Sequence, residues 1–434
     1  MKSALPKVMH QIAGRPLIAH LLDALGPLQP AVTTVVLGRD MRAVAPIVAP
    51  ARTVVQHPPR GTGDAVRAAR PALAECLAPH GDVTDVLVLY GDTPLLQTET
   101  LARLLAERRR APTAAVAVGG MRPADPGDYG RLVLDSRGEL EAIVEAKDAN
   151  PAQRAIGLCN GGIMAIDAGL LFELLDALDS NNAKKEFYLT DIVALARGKG
   201  FSCRVAELPT EELAGINTRA ELAAAEAAMQ MRLRRRAMAD GATLIAPDTV
   251  FLSADTRFGR DVVVEPNVVF GPGVAVGDNA RIRAFSHLEG ARIGEGAIVG
   301  PFARLRPGAV LDQGVHVGNF VEVKASRLGA GVKASHLSYL GDSEIGAGSN
   351  IGAGTITCNY DGFNKSRTHI GENVFVGSNT ALVAPVSVGD GAIVAAGSVV
   401  TRDVAANALT LGRGRQVDKP GRAAEIRSRR KENL

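Results

Sequence analysis

From Val262 to Val400 an aliphatic residue returns every six positions, a spacing that neither an amphipathic helix nor a hairpin produces. One run reads Ile293, Val299, Leu305, Leu311, Val317 and Val323, and a second reads Ile370, Val376, Leu382, Val388, Val394 and Val400. Six residues make one flat strand and a tight turn, three such units make a coil, and stacked coils bury a continuous aliphatic column. Because the phase holds over successive units twice, a chance abundance of Val and Gly does not explain it. The second half is therefore expected to be a parallel β-helix of hexapeptide repeats. Glycines follow the inward aliphatic at Gly294, Gly300, Gly318, Gly346, Gly352, Gly371, Gly377 and Gly389, where the turn is expected to need backbone freedom.

A chain of 434 residues exceeds one core, and its halves differ in composition. Ala-, Leu- and Arg-rich helical stretches alternate with short Val-rich runs before the repeat begins, which implies an α/β domain ahead of the solenoid. Residues 17–25 read as an amphipathic helix and 32–37 as a buried strand. Val86 to Tyr90 reads as an apolar strand ending at Gly91-Asp92, so Asp92 would stand at the mouth of a nucleotide-type crevice beyond the carboxyl ends of an open parallel sheet. Thr218 to Asp240 is Ala-, Glu- and Arg-rich without Gly or Pro and should form one long helix. The expected division is a first domain over 1–219, a helical linker over 220–240 and the repeat domain with a basic tail over 241–434.

The formal charge is only +3, with basic residues gathered after Arg413. Without interleaved aromatics this tail reads as solvated, or as a partner for a phosphorylated small ligand, and not as a nucleic-acid site. Cys76, Cys159, Cys203 and Cys358 form no C-x-x-C pair, which argues against zinc or a disulfide framework and fits a reducing, cytoplasmic setting. No apolar run reaches membrane-spanning length, and His10, Arg15 and Pro16 interrupt anything like a signal peptide.

The order of short motifs is more specific than any one of them. Leu5-Pro6-Lys7-Val8, Gly14-Arg15-Pro16-Leu17, Gln56 with Gly61-Thr62-Gly63, and Tyr90-Gly91-Asp92 resemble a nucleotide-sugar pyrophosphorylase. Further on come Tyr129-Gly130-Arg131, Ile143-Val144-Glu145, Asn160-Gly161-Gly162, Gly215-Ile216-Asn217, the stretch Pro301 to Gly308, and Gly352 to Gly362. Together they resemble the bacterial family of bifunctional N-acetylglucosamine-1-phosphate uridyltransferases and glucosamine-1-phosphate N-acetyltransferases. That resemblance implies a Rossmann-like nucleotidyltransferase domain followed by a left-handed β-helix, a homotrimer, and a role in supplying UDP-N-acetylglucosamine for peptidoglycan and lipopolysaccharide.

For the uridyl half the resemblance implies that Asp92 and Asn217 bind Mg²⁺ and that Lys7 faces the UTP phosphates. Gln56, Gly61, Thr62, Tyr90, Gly91, Gly130, Glu145 and Asn160 would hold uracil and the sugar of N-acetylglucosamine 1-phosphate. For the acetyl half it implies His336 as the base, and Arg306, Lys324, Tyr339, Asn350 and Lys365 around glucosamine 1-phosphate. Ala353, Asn359, Tyr360, Ser378, Ala396 and Arg413 would contact acetyl-CoA. Three cations suit a dianionic phosphate, and a histidine titrates near the pH at which an amine must lose a proton. Thr357 to Arg367 breaks the six-residue phase and is expected to leave the solenoid as a loop.

Members of this family open with a short strand and a loop of the form Leu-x-x-Gly-x-Gly-Thr-Arg-Met, and the present sequence begins at that Met. Such a loop offers backbone N–H groups to phosphates, and an interior strand lost from a sheet costs about 1–3 kcal/mol per buried group left unpaired. Weak uridyl transfer by the sequence as given is the resulting expectation; the retained Lys7, Asp92, Glu145, Asn160 and Asn217 favour a start that lies further upstream over a lost activity, with an acetyltransferase carrying an inactive first domain as the alternative. A zinc hydratase on the same solenoid would need converging histidines, whereas His287, His316, His336 and His369 are irregularly spaced. A non-catalytic regulator would not need His336 beside Arg306, Lys324 and Lys365.

Overall fold

A computed structural model describes residues 1–74, 76–77, 83–182 and 184–431. The chain divides into two compact units, Met1–Met229 and Gln230–Leu434, the boundary falling inside the helix Arg219–Ala239. That helix starts where the sequence offers Thr218-x-x-Glu221. The Glu221 N–H donates to the Thr218 hydroxyl at 3.1 Å while the Thr218 N–H donates back to the Glu221 carboxylate at 2.9 Å.

In the first unit, Val116–Met121, Cys159–Asp167, Arg131–Leu134, Leu140–Val144, Cys203–Glu207 and Asp85–Val88 form a six-stranded sheet. It is mixed rather than all parallel. Cys203–Glu207 runs parallel to Val116–Met121, and the long strand Cys159–Asp167 is antiparallel to both Val116–Met121 and Asp85–Val88. The amphipathic helix Leu17–Leu25 forms as expected and buries Leu17, Ile18 and Leu21. The strand expected over 32–37 is Thr34–Gly38, and only Leu37 in it is fully buried. It pairs in parallel with Arg52–Gln56 as a separate two-stranded sheet. A cavity of ≈ 580 Å³ is lined by consecutive residues from both Thr33–Leu37 and Val83–Gly91, so it meets the two strands edge-on, and Val8, Ile18, Leu21 and Leu25 add apolar walls. Thr34 Oγ1 is buried without a partner.

The second unit is the β-helix. Two-to-four-residue strands stack in parallel into sheets of ten, eight and eight strands, beginning at Thr243–Leu244 and ending at Leu409–Thr410. All twelve aliphatics of the two sequence runs are buried at 5 % exposure or less, so the six-residue period does read the core. Each such side chain is worth about 1.5–3 kcal/mol of burial.

The glycines after these aliphatics serve a different purpose from the one expected. Of the eight, only Gly300 has a positive φ. A Cβ on Gly294 would lie 2.6 Å from the carbonyl carbon of Asp312, and one on Gly352 2.6 Å from that of Gly377, one coil further on. These positions need the absence of a side chain because backbone from the next coil passes there. The left-handed turn positions are others, and include Asn267, Asn279, Asn373, Asn379 and Asn407. The phase break also begins later than expected: Ile356–Cys358 is a strand with Thr357 fully buried, and the chain leaves the solenoid only at Asn359.

Candidate active sites

Three residues that lie far apart in sequence meet at one edge of the first unit. The Lys7 ammonium donates to the Asp92 carboxylate and, at 2.9 Å, to Asn217 Oδ1. Asp92 follows the strand Asp85–Val88, Asn217 precedes the long helix, and the Ile216 N–H donates to the Asp92 carbonyl at 3.1 Å, tying the two segments together. Lys7 thus places a cation between the two oxygens expected to share Mg²⁺. One anionic and one amide oxygen on a common point suit that ion, which takes its remaining ligands from water and phosphate. Among the described residues no cluster of three His, Cys, Asp or Glu suited to a metal occurs, so no competing protein cage is present there.

Next to this cation position the Tyr90 ring lies against Gly162, where a Cβ would be 2.7 Å from the ring. Burial raises the Tyr90 phenol pKa; a hydrogen bond with Thr62 opposes this, and the Glu145 and Asp92 carboxylates reinforce it. Gly61 (φ +113°) opens the helix Thr62–Ala68, and a Cβ there would meet the Phe187 carbonyl at 2.6 Å. Gln56 donates to the Gly61 carbonyl at 3.0 Å and to Asp64 at 2.9 Å. The Asn160 N–H donates to the Gly130 carbonyl at 2.8 Å. Glu145 accepts from Thr190 at 3.5 Å, and burial lifts its pKa above the ordinary value. The candidates are thus linked locally, Lys7 to Asp92 and Asn217, Tyr90 to Thr62 and Gly162, and Asn160 to Gly130 and Gly162. Thr62, Tyr90 and Gly91 also line the large cavity.

In the second unit Arg306, Lys324 and Tyr339 lie along one eight-stranded sheet, and His336 ends a strand of the adjoining ten-stranded sheet. Arg306 donates to Glu322 at 2.8 Å, and Lys324 to Asp342 at 3.1 Å. Asn359 donates to Asp342 and, at 3.4 Å, to the Tyr339 hydroxyl. Burial pushes the Asp342 pKa up, but Lys324 and Asn359, with Lys365 nearby, outweigh it and hold the carboxyl below its usual range. The hydrogen bond to Asp342 raises the Lys324 pKa in turn. His336 precedes the Leu337 turn into that eight-stranded sheet, exposed, with Nδ1 2.8 Å from Asn319 Oδ1. Asn350 does not join the Arg306–Lys324–Tyr339 cluster within one chain. It lies on the ten-stranded sheet in register with Lys333 and Phe375.

The coenzyme candidates form a column. The Gly354 N–H bonds the Leu337 carbonyl, Asn379 N–H the Ala353 carbonyl, and Gly397 N–H the Ser378 carbonyl, at 2.7–2.9 Å; the Arg413 guanidinium donates to the Ala396 carbonyl at 2.9 Å. From His336 the column passes Ala353, Ser378 and Ala396 to Arg413, four coil steps, or about 19 Å at ~4.8 Å per step. Two candidates stand outside this column: Asn359 bonds Asp342 and Tyr339, and Tyr360 lies on the ejected loop, bridged to Lys365.

Family models match both units: a MobA-like NTP transferase domain over residues 1–184, a bacterial transferase hexapeptide over 255–290, and a hexapeptide repeat of succinyl-transferase over 367–402. "Bifunctional protein GlmU" of Paramagnetospirillum magneticum is 55 % identical over 428 residues, covering 99 % of this chain and 94 % of that protein. The chain belongs to the GlmU family. The GlmU proteins of Rhodospirillum rubrum and Acidiphilium cryptum are 58 % and 57 % identical, over 99 % and 98 % of this chain and 94 % and 95 % of theirs. GlmU relatives are bifunctional enzymes with uridyltransferase and acetyltransferase activity, and this chain carries both the nucleotidyltransferase and the hexapeptide acetyltransferase domain. No helix among the described residues is long and apolar enough to cross a membrane.

Three residues of these candidate sites lie outside the motifs: Glu322 against Arg306, Asp342 against Lys324, and Asn319 against His336. In the solenoid a usable signal existed, because Asn319 precedes His336 by 17 residues and Asp342 follows Lys324 by 18, one coil in each case.

Proposed function

We propose that the second unit transfers acetyl from acetyl-CoA to the amine of glucosamine 1-phosphate, and that the first joins the product to the α-phosphate of UTP with Mg²⁺, releasing pyrophosphate. The observation that carries this reading is the column from His336 to Arg413 alongside the cations Arg306, Lys324 and Lys365. It gives an elongated thioester a track ending in a guanidinium, and a sugar phosphate a cationic seat on the sheet that adjoins the strand ending at His336.

In acetyl transfer the amine nitrogen attacks the thioester carbonyl carbon, a C–N bond forms and the C–S bond breaks. His336 takes the amine proton, an effect typically worth about 10²–10⁴-fold. Lys324 and Arg306 hold the phosphate and so fix the amine, their own carboxylate partners keeping both side chains extended. In uridyl transfer a sugar-phosphate oxygen attacks the α-phosphorus, and the bond to the β-phosphate oxygen breaks. Mg²⁺ bound at Asp92 and Asn217 would neutralise charge on the phosphate oxygens, with Lys7 swinging from its bridging position to a phosphate. Tyr90, Gly91, Gln56, Gly61 and Thr62 shape the nucleoside pocket, and Gly130, Glu145 and Asn160 the sugar pocket.

A homotrimer is part of this reading. Phe285, Phe302 and Phe320 stack at 5.0 and 5.3 Å along an exposed corner that Leu337 continues, all at 45–60 % exposure, and Asn350 stands apart from the sugar-phosphate cluster of its own chain. A neighbouring copy would cover the apolar ladder and complete the site. The test supplies glucosamine 1-phosphate, acetyl-CoA, UTP and Mg²⁺ to the purified chain and follows products in time. N-acetylglucosamine 1-phosphate should appear first and UDP-N-acetylglucosamine second; UDP-glucosamine appearing ahead of any acetylated product would overturn the order.

A further inference from the structure

His336 needs more than proximity to a substrate amine: one ring nitrogen must carry a lone pair and point it outward. A neutral imidazole carries its proton on either nitrogen, and the hydrogen bond made by the inner nitrogen decides which. Here the inner nitrogen, Nδ1, lies 2.8 Å from Asn319 Oδ1. A carbonyl oxygen can only accept, so this contact requires the proton on Nδ1 and leaves the lone pair on Nε2.

Asn319 is itself held firmly. It pairs in register with His336 across the stacked strands His316–Asn319 and Lys333–His336, and its carbonyl accepts the Leu337 N–H at 3.0 Å. Gly318 before it has the backbone of Ser335 so close that no side chain fits. Phe320 after it has a left-handed backbone, and its ring stacks on Phe302 at 5.3 Å. Constraint on both sides fixes the Asn319 backbone opposite the His336 strand, within reach of the ring.

Resting on the reading of His336 as the base, we propose that Asn319 is a positioning residue for acetyl transfer, holding His336 as the Nδ1–H tautomer with Nε2 free to take the amine proton. An amide does this without adding a negative charge beside a phosphorylated sugar, which a carboxylate would repel. The same contact persists once the ring is doubly protonated, because Nδ1 remains a donor throughout.

The test uses the full chain labelled with ¹⁵N at histidine, with His336→Gln identifying the His336 signals. In the unaltered protein the neutral ring should show protonated Nδ1 and bare Nε2. Asn319→Leu should release that preference and lower kcat for acetyl transfer about five- to tenfold with KM for both substrates nearly unchanged. Asn319→Asp, which keeps the acceptor, should retain the tautomer and recover most of kcat, with a raised KM for glucosamine 1-phosphate from the added charge. Coenzyme A binding by each variant, measured by calorimetry, checks that the solenoid is intact. An unchanged His336 tautomer and unchanged kcat in Asn319→Leu would overturn the role of Asn319 while leaving His336 as the base. Acetyl transfer surviving in His336→Gln would instead sink the base assignment itself, and the positioning role with it.

Discussion

Asp85 carries two arginines on one carboxylate. Arg108 and Arg109 both donate to it, the Arg109 Nη2 at 2.6 Å, and the side chains of Asp85 and Arg108 are only 5 % and 3 % exposed. Burial pushes the Asp85 pKa up, yet hydrogen bonds from Arg109, Arg108 and Thr84 more than offset it and hold the carboxyl below its ordinary value. A carboxylate depressed in the folded state adds stability above its unfolded pKa, and that contribution disappears as pH falls through the folded value. Asp85→Asn should therefore lower the melting temperature at pH 7, by an amount reflecting about 3–5 kcal/mol for a buried cation left short of its partner, and should flatten the acid limb of the stability curve. Thermal melts from pH 7 downward check both parts; parallel curves for the two proteins would refute the assignment. Residues like these mark what was legible. Lys7, Asp92 and Asn217 were reached because each sits in a recognisable short motif, and the structure does bring them together. Asp85, Asp342 and Asn319 were not, because each acts through a partner many residues away and nothing local distinguishes it from a surface polar residue.

At the scale of elements, period was a better guide than residue type. The six-residue rhythm located the solenoid core position by position, and Thr218-x-x-Glu221 marked a helix start that the structure shows as a reciprocal cap. Glycine misled, since its usual meaning is conformational freedom and here most of the glycines after inward aliphatics mean crowding. Gly294→Ala tests the distinction. Its φ is not in the left-handed region, so freedom alone would make the substitution harmless, whereas a methyl 2.6 Å from backbone of the next coil should cost about 1–3 kcal/mol. Denaturant unfolding of the full chain reads the difference, and an unchanged midpoint would mean the coils can part at no cost. The strand Thr34–Gly38 was legible in place and not in burial. Its exposure depends on what packs against the sheet edge, and that edge faces a cavity.

At the scale of the whole molecule, two compact units hold two separate sets of site residues, none of them shared. In the proposed function, uridyl transfer would draw on charge carried by Lys7, Asp92 and a divalent cation, and acetyl transfer on His336 and a phosphate seat of cations. The fold class was legible in outline because each half has its own period and motif order. The place of Asn350 was not, because it lies on the ten-stranded sheet, apart from the Arg306, Lys324 and Tyr339 cluster its sequence match assigns it to. The central claim, two chemistries on two independent sites, is tested most directly by measuring both transfers on three proteins: the unaltered chain, His336→Ala and Asp92→Asn. His336→Ala should lose acetyl transfer by about 10²–10⁴-fold and keep uridyl transfer. Asp92→Asn should do the reverse, and chelation of Mg²⁺ should reproduce its effect in the unaltered chain. Loss of both transfers from either single substitution, or of neither, would contradict the account.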